Sequence, residues 1–83
     1  MDSENLKIFH HYGEANQREK LKEELYELIE AVDDNDEHMI EEIADVLNVI
    51  DQFVMAKHWA EDIYRIKYEK VERQKKRMRN ETN

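Results

Sequence analysis

The chain has 83 residues, the size of one domain, and carries 13 Lys and Arg against 21 Asp and Glu, for a net charge of −8. One Gly, no Pro and no Cys leave little that builds hairpins and exclude disulfides and thiolate zinc sites. With 40% hydrophobic and 41% charged residues, the composition predicts an all-α domain over residues 1–83 whose small core favours oligomerisation.

A first short helix is predicted from Ser3, its candidate N-cap, to Tyr12, and Gly13 interrupts it. A second helix is predicted from Glu14 to Val32, because its apolar residues recur at helical spacing. They form one stripe: Leu21, Leu25, Leu28, Ile29 and Val32.

Residues 33–36 predict a turn in which Asn35 takes the left-handed conformation and Asp36 caps the next helix. They do not form an EF-hand loop, because His38 occupies the sixth position, where that loop needs Gly. A third helix is predicted over about residues 37–56. Its apolar positions cover about half of the circumference or more, at about 100° per residue, which predicts a central or interface helix.

A fourth helix is predicted from about Ala60 into the late seventies, with Ile63, Ile66 and Val71 inward and a frayed tail at about residues 80–83. The four helices predict a small antiparallel bundle completed by oligomerisation. This last helix is basic, because residues 63–83 hold 8 bases and 3 acids, whereas residues 1–62 hold 5 bases and 18 acids.

The acidic body argues against binding of a nucleic acid polymer, because phosphate neutralisation needs a broad cationic surface. No secretory segment and no apolar run of membrane length is visible in the sequence. We therefore expect a cytoplasmic protein with no membrane partner.

Two acid pairs recur at the same three-residue offset in consecutive helices: Glu24/Glu27 and Glu42/Asp45. Residues three apart share a helix face, and Glu42 falls about 20° from Val49, inside the apolar arc. If the second and third helices form an antiparallel hairpin, the two pairs converge on one groove. Four anionic groups so close repel strongly unless they are protonated or bind a metal.

An oxygen-only ligand set selects a hard cation, so Mg²⁺ is expected, with Mn²⁺ as a substitute. A di-iron bundle is disfavoured, because it uses Glu-x-x-His pairs, whereas Glu27 and Asp45 hold the third positions here. Chance explains a single acid pair in a helical chain rich in Glu, but it explains poorly two pairs that face one groove.

Three segments carry the acid pairs and their surroundings: residues 12–17, residues 22–31 and residues 41–50. They contain Glu23-Glu24-x-x-Glu27 and then Glu42-x-x-Asp45, followed by Val-Leu and an aliphatic run. These segments resemble the MazG-like all-α nucleotide pyrophosphohydrolases, whose signature is Glu-Glu-x-x-Glu followed by Glu-x-x-Asp. The resemblance covers most of the chain.

The resemblance implies a Mg²⁺-dependent enzyme that hydrolyses nucleoside triphosphates to the monophosphate and pyrophosphate. By position, Glu24, Glu27, Glu42 and Asp45 are the expected metal ligands. Glu23 is the candidate general base, and an exposed helix glutamate is the alternative interpretation.

Basic residues of the fourth helix are expected to hold the phosphates, although the Asn that the family commonly carries there is absent. The candidates are Lys67, Lys70 and Arg73. For the base and sugar, the resemblance points to aromatic or amide residues near the first helix. The candidates are Phe9, Tyr12 and Gln17. A homo-oligomer, dimer or tetramer, is expected.

Two alternatives stay open. The first is a phosphoribosyl-ATP pyrophosphohydrolase, although that enzyme has Asp-Leu followed by an aromatic-His pair, whereas Val-Leu-Asn-Val follows Asp45 here. The second is a non-catalytic helical interaction module whose partner covers the broad apolar face of the third helix. Within the leading hypothesis, deoxynucleotides such as dCTP or dUTP and a broader house-cleaning role are equally compatible.

Overall fold

The computed structural model describes residues 2–81, with side chains from residue 4 onward. This part of the chain holds four helices and no strand: α1 (Asp2–Tyr12), α2 (Glu14–Ala31), α3 (Asp36–Lys57) and α4 (Ala60–Glu81). The all-α prediction is confirmed, and the predicted helix ends lie close to these. Helix α4 runs further than predicted, through residue 81, and the rest of the predicted frayed tail lies outside the described residues.

Gly13 separates α1 from α2. Its φ is +86°, in the region that side chains with a Cβ rarely adopt, so glycine is the residue that permits this break without strain. The Gly13 N–H still donates to the Phe9 carbonyl at 2.8 Å. Helix α2 therefore begins in a new direction directly after α1.

Asn35 is the N-cap of α3, and the prediction that Asp36 would cap it is wrong. Asn35 has an extended backbone (φ −83°), not a left-handed one, and its Oδ1 accepts from the His38 N–H at 2.9 Å. This geometry satisfies one of the free N–H groups at the helix start, which is what an Asn cap does. At the other end, His58 takes the left-handed conformation (φ 58°) that ends α3.

The core lies among α1, α2 and α3. The Phe9 ring meets the Phe53 ring edge-on, with centroids 5.1 Å apart, and Val49 completes this buried cluster. Leu21 of α2 and Ala56 of α3 pack against it. Helices α2 and α3 run antiparallel and pack on each other, as predicted, and α1 lies mainly against α3.

Helix α4 makes few contacts with the other three, and none of its residues is buried. The chain is accordingly elongated, with extents of 52 × 33 × 22 Å. Within a single chain the predicted inward positions Ile66 and Val71 are exposed, so that prediction is wrong. The compact unit has three helices, and α4 extends from it.

The α2–α3 hairpin has a second apolar face that the described chain leaves exposed. On α3 this face consists of Ile43, Leu47 and Ile50, which fall on one stripe. It continues into an apolar groove of about 600 Å³ between α2, α3 and the start of α4. The apolar residues that line this groove include Leu21, Leu25, Ile50, Val54, Trp59 and Ile63. We call the α3 stripe and this groove the apolar face.

Within residues 2–81, no helix has both the length and the apolar character needed to cross a membrane.

An ion pair joins α2 and α3 at the end of the hairpin that lies opposite the connecting turn. Lys57 at the end of α3 contacts Glu14 at the start of α2, and Arg18 donates to the same carboxylate at 2.8 Å. The hydrogen bond from Lys57, and then that from Arg18, hold the pKa of Glu14 below its ordinary value of 4.5.

We expect Glu14→Gln to lower the melting temperature at neutral pH and to leave it nearly unchanged in acid. Because the folded-state pKa is depressed, the stabilisation is present above the unfolded-state pKa of about 4.5 and is lost as the pH falls through the lower folded-state value. Thermal melts followed by circular dichroism between about pH 3 and 7 measure it. Glu30→Gln, at an exposed position of the same helix, is the control. A Glu14→Gln deficit that stays constant with pH would contradict the assignment.

Candidate active site

The pairing of α2 with α3 sets which residues face each other across the hairpin. Gln17 Nε2 donates to Gln52 Oε1 at 2.7 Å. About seven residues nearer the connecting turn, or two helical turns, Glu24 and Asp45 occupy the corresponding positions. One turn further, Glu27 and Glu42 do so. The hairpin therefore brings both predicted acid pairs to the same level.

Three of the four predicted metal ligands meet at one point. One carboxylate oxygen from each of Glu24, Glu27 and Glu42 lies within 4.8 Å of the other two. Asp45 lies outside this group. It is exposed and lines the adjoining groove together with Glu24.

The acidic cluster, defined as Glu24, Glu27 and Glu42, brings carboxylates together partly out of contact with water. Glu24 is 6% exposed, and Oε2 of Glu24 and Oε2 of Glu42 are both buried without a hydrogen-bond partner. Buried charged oxygens are normally paired. The charge of Glu24 also raises the pKa of Glu27, with a smaller contribution from Glu42. Like charges are therefore held together at some expense of stability.

These features fit a hard divalent cation. The cluster offers carboxylate oxygens alone, and two of them lack the partner that burial demands. An ion there would satisfy both oxygens and cancel the repulsion among the glutamates.

Two basic side chains border the cluster, and sequence analysis identified neither. Lys20 Nζ lies 3.0 Å from Glu24 Oε1 and 3.7 Å from Glu23 Oε1, and its hydrogen bond to Glu24 raises the pKa of Lys20. His38 Nε2 lies 3.6 Å from Glu42 Oε1. Its Nδ1 lies 2.7 Å from Asp34 Oδ2, and this hydrogen bond raises the pKa of His38. The i,i+4 spacing of Lys20 and Glu24 in the sequence is the pattern that could have predicted their ion pair.

A groove of about 700 Å³ runs from Glu24 toward α1, between α1, α2 and α3. Most of the residues that line it have polar side chains: Asn5, Asn16, Gln17, Glu19, Lys20, Glu23, Glu24, Asp45, Asn48 and Gln52. Ile8, Tyr12 and Val49 line the rest. The candidate base Glu23 is exposed and belongs to this lining.

The predicted base and sugar residues divide between the groove and the core. Tyr12 and Gln17 line the groove. Phe9 is buried against Phe53 in the core and is not part of the groove lining. Sequence analysis did not identify Gln52, although it is a polar residue two turns from Asp45 within the broad apolar arc of α3. A polar residue that interrupts an apolar arc is the sequence pattern that would have identified Gln52.

The predicted phosphate-binding residues lie elsewhere in the chain. Lys67, Lys70 and Arg73 are exposed on α4, and none of them lines the groove. Lys67 Nζ lies 5.3 Å from the centroid of the Tyr64 ring. Lys70 and Arg73 border a separate depression of about 290 Å³ on α4. Lys20 is the one lysine among the described residues that line the groove.

The family model described as the MazG nucleotide pyrophosphohydrolase domain matches residues 13–81, which contain both acid pairs and helices α2, α3 and α4. No curated protein and no solved structure matches the chain significantly.

Proposed function

The chain belongs to the MazG nucleotide pyrophosphohydrolase family, and we propose that it hydrolyses nucleoside triphosphates to nucleoside monophosphates and pyrophosphate with the help of Mg²⁺. Family membership confirms the resemblance drawn from the acid pairs. The observation that carries the proposal is the meeting of the three glutamates of the acidic cluster within 4.8 Å, two of them with a buried, unpaired oxygen.

Glu24, Glu27 and Glu42 would hold the ion, with Asp45 supplying a further oxygen from the groove. Mn²⁺ would substitute, since it also accepts carboxylate ligands. When bound, the ion supplies positive charge that stabilises phosphate oxygens and makes water easier to deprotonate.

Glu23 is the proposed general base. It is exposed, lines the groove, and lies next in sequence to Glu24, so water in the groove can reach its carboxylate. Glu23 would take the proton of the attacking water while the anhydride bond between the α- and β-phosphates is hydrolysed. Pyrophosphate would leave as the second product.

Within one chain, Lys20 is the side chain that we propose contacts the polyphosphate. It already lies between Glu23 and Glu24 and lines the groove, so it can contact phosphate oxygens without a rearrangement of the helices. Lys67, Lys70 and Arg73 remain proposals for further phosphate contacts. Because they lie away from the groove of their own chain, those contacts would be made across an oligomer.

We expect Lys20→Gln to lower kcat/KM about tenfold or more, since a hydrogen bond to a charged group contributes about 1.5–3 kcal/mol. Lys20→Arg should retain more activity because it keeps the charge. Steady-state pyrophosphate release measures both, with Lys22→Gln, an exposed lysine of the same helix paired with Glu19, as the control. Equal kinetics for Lys20→Gln and Lys22→Gln would remove Lys20 from the site.

The proposed assembly is a homodimer or tetramer that covers the apolar face. A face of this kind is uncommon on a monomer, and among the described residues α4 makes few contacts with the rest of its own chain. A second copy that packs on α2, α3 and α4 would bury Leu47, Ile66 and Val71 together.

The proposal is tested by pyrophosphate release from a panel of ribo- and deoxynucleoside triphosphates and phosphoribosyl-ATP, with Mg²⁺ and with EDTA. We expect release from at least one triphosphate that EDTA abolishes. A panel without release would favour the non-catalytic interaction module, and release from phosphoribosyl-ATP alone would favour the biosynthetic alternative.

A further inference from the structure

We propose that Gln52 is a positioning residue that fixes the side-chain amide of Gln17, so that the α1 end of the groove selects the nucleobase by its hydrogen-bonding edge. The inference rests on the proposed function, because it assigns a role to the end of the same groove that lies away from the acidic cluster.

Both glutamines are buried in a small domain that has few other buried polar residues. Gln17 is 5% exposed and Gln52 is 4% exposed, and their amides meet at 2.7 Å. Gln52 Nε2 in turn donates to Asn5 Oδ1 at 3.4 Å. The chain of contacts has a direction: the amino group of Gln52 points to Asn5, which leaves its oxygen to accept from Gln17. We call these three residues the amide relay.

The relay leaves Gln17 with a defined pair of free groups. A primary amide has two N–H donors and one oxygen acceptor. Gln17 uses one N–H on Gln52, so its other N–H and its Oε1 are left for a ligand in the groove that it lines. A half-turn of the Gln17 amide alone would place its oxygen against the Gln52 oxygen, so Gln17 exchanges its donor with its acceptor only if Gln52 turns as well.

The position of the relay suits a base. Gln17 precedes Glu24 by two helical turns, about 10.5 Å along α2 at 1.5 Å per residue. A nucleotide whose phosphates lie at Glu24 and Lys20 would therefore extend its base toward Gln17. Tyr12 lines the same end of the groove and offers an aromatic surface for stacking, which together with edge hydrogen bonds is how proteins recognise unpaired bases.

A fixed amide discriminates between bases that differ by exchange of a keto for an amino group. Uracil presents an acceptor at O4 beside the N3–H donor, whereas cytosine presents a donor at N4 beside the N3 acceptor. An amide held in one orientation matches one of these edges and leaves groups unpaired against the other. Sites built on such hydrogen bonds reject the wrong ligand far better than apolar pockets do. An amide free to rotate accepts both edges.

The test compares Gln52→Met with Gln52→Glu. Methionine keeps the volume but cannot accept from Gln17, whereas glutamate keeps an oxygen at that place. We expect Gln52→Met to reduce the preference between keto and amino bases about tenfold or more, and Gln52→Glu to retain most of it. Gln74→Met, a glutamine of α4 outside the groove, is the matched control.

Two readouts separate this inference from the proposed function. The first is the ratio of kcat/KM for UTP over CTP and for ITP over ATP. The second needs neither metal nor turnover: the affinities of UMP, CMP, IMP and AMP, measured by calorimetry in EDTA. If no triphosphate is hydrolysed, the proposed function fails and the monophosphate affinities still decide the role of Gln52.

The inference is overturned if the wild-type protein binds the four monophosphates equally, or if Gln52→Met retains the wild-type preference. It is also overturned if Gln52→Met weakens all four equally with a lower melting temperature, because that result assigns Gln52 to the stability of the hairpin alone.

Discussion

Replacing Glu42 with Gln is expected to lower pyrophosphate release by about 10³-fold or more and, without divalent metal, to raise the melting temperature. The first effect follows from the proposed role of Glu42 as a metal ligand, because the charge stabilisation that a metal supplies is several kcal/mol and each 1.36 kcal/mol is tenfold in rate. Gln keeps the volume of the side chain and removes its charge.

The second effect follows from the state of the acidic cluster without an ion. Oε2 of Glu42 is buried and unpaired, and the Glu42 charge contributes to the raised pKa of Glu27. A neutral amide at this place costs less to bury than a carboxylate and relieves the repulsion of Glu24 and Glu27. The variant gives up the contact between His38 Nε2 and Glu42 Oε1 at 3.6 Å, which is an ion pair only when His38 is protonated, and His38 keeps its hydrogen bond to Asp34.

Melting curves with and without Mg²⁺ separate these effects. Binding to the folded state stabilises it by mass action, so the melting temperature of the wild-type protein should rise with Mg²⁺ and that of Glu42→Gln should rise much less. The control is Glu41→Gln, the exposed neighbour in sequence, which should keep both activity and the Mg²⁺ response. Turnover retained by Glu42→Gln would exclude Glu42 as a ligand.

The sequence predicts the acid pairs well because both are local features with a simple periodicity. Glu24 and Glu27 share a face of α2 by their spacing alone, and the short loop before α3 leaves an antiparallel hairpin as the natural arrangement. Those two facts are enough to predict that the pairs become level. The acidic cluster of Glu24, Glu27 and Glu42 follows from them.

The amide relay and the environment of Lys20 depend on contacts that spacing does not fix. Gln17 and Gln52 are 35 residues apart, and in the sequence Gln52 reads only as a polar interruption of an apolar arc. Predicting that they pair requires knowing which residue of α2 lies opposite which residue of α3. Phe9 is a residue for which sequence position suggested a contact with the base. In the fold its ring packs against Phe53 in the core.

Helix α4 is where prediction from a single chain fails for a physical reason. Periodicity identifies Ile66 and Val71 as positions that need burial, but it does not say which molecule covers them. In one chain they are exposed. The same reasoning applies to the stripe of Ile43, Leu47 and Ile50 on α3, and the proposed second copy would cover both surfaces.

Leu47→Glu is therefore expected to dissociate the proposed oligomer. Leu47 is 51% exposed at the centre of the α3 stripe, and burying a fully exposed leucine contributes about 1.5–3 kcal/mol, so covering the remaining half contributes about 0.8–1.5 kcal/mol. In a symmetric dimer the position occurs twice, so its loss alone raises the dissociation constant about 10- to 10²-fold, and the introduced charge adds to this. The melting temperature should fall at the same time and become less dependent on protein concentration, since subunit association stabilises the folded state.

Light scattering coupled to size exclusion measures this effect across a range of protein concentrations. The control is Tyr26→Glu, because Tyr26 is 68% exposed and does not line the apolar groove. A wild-type monomer at all concentrations, or a Leu47→Glu variant with the wild-type mass, would contradict the assembly. If Leu47→Glu is monomeric and also loses turnover while its Mg²⁺-dependent melting shift is kept, the acidic cluster is complete within one chain and a second copy supplies the phosphate contacts. Lys67, Lys70 and Arg73 of α4 are then the side chains to substitute next, because they lie away from the groove of their own chain.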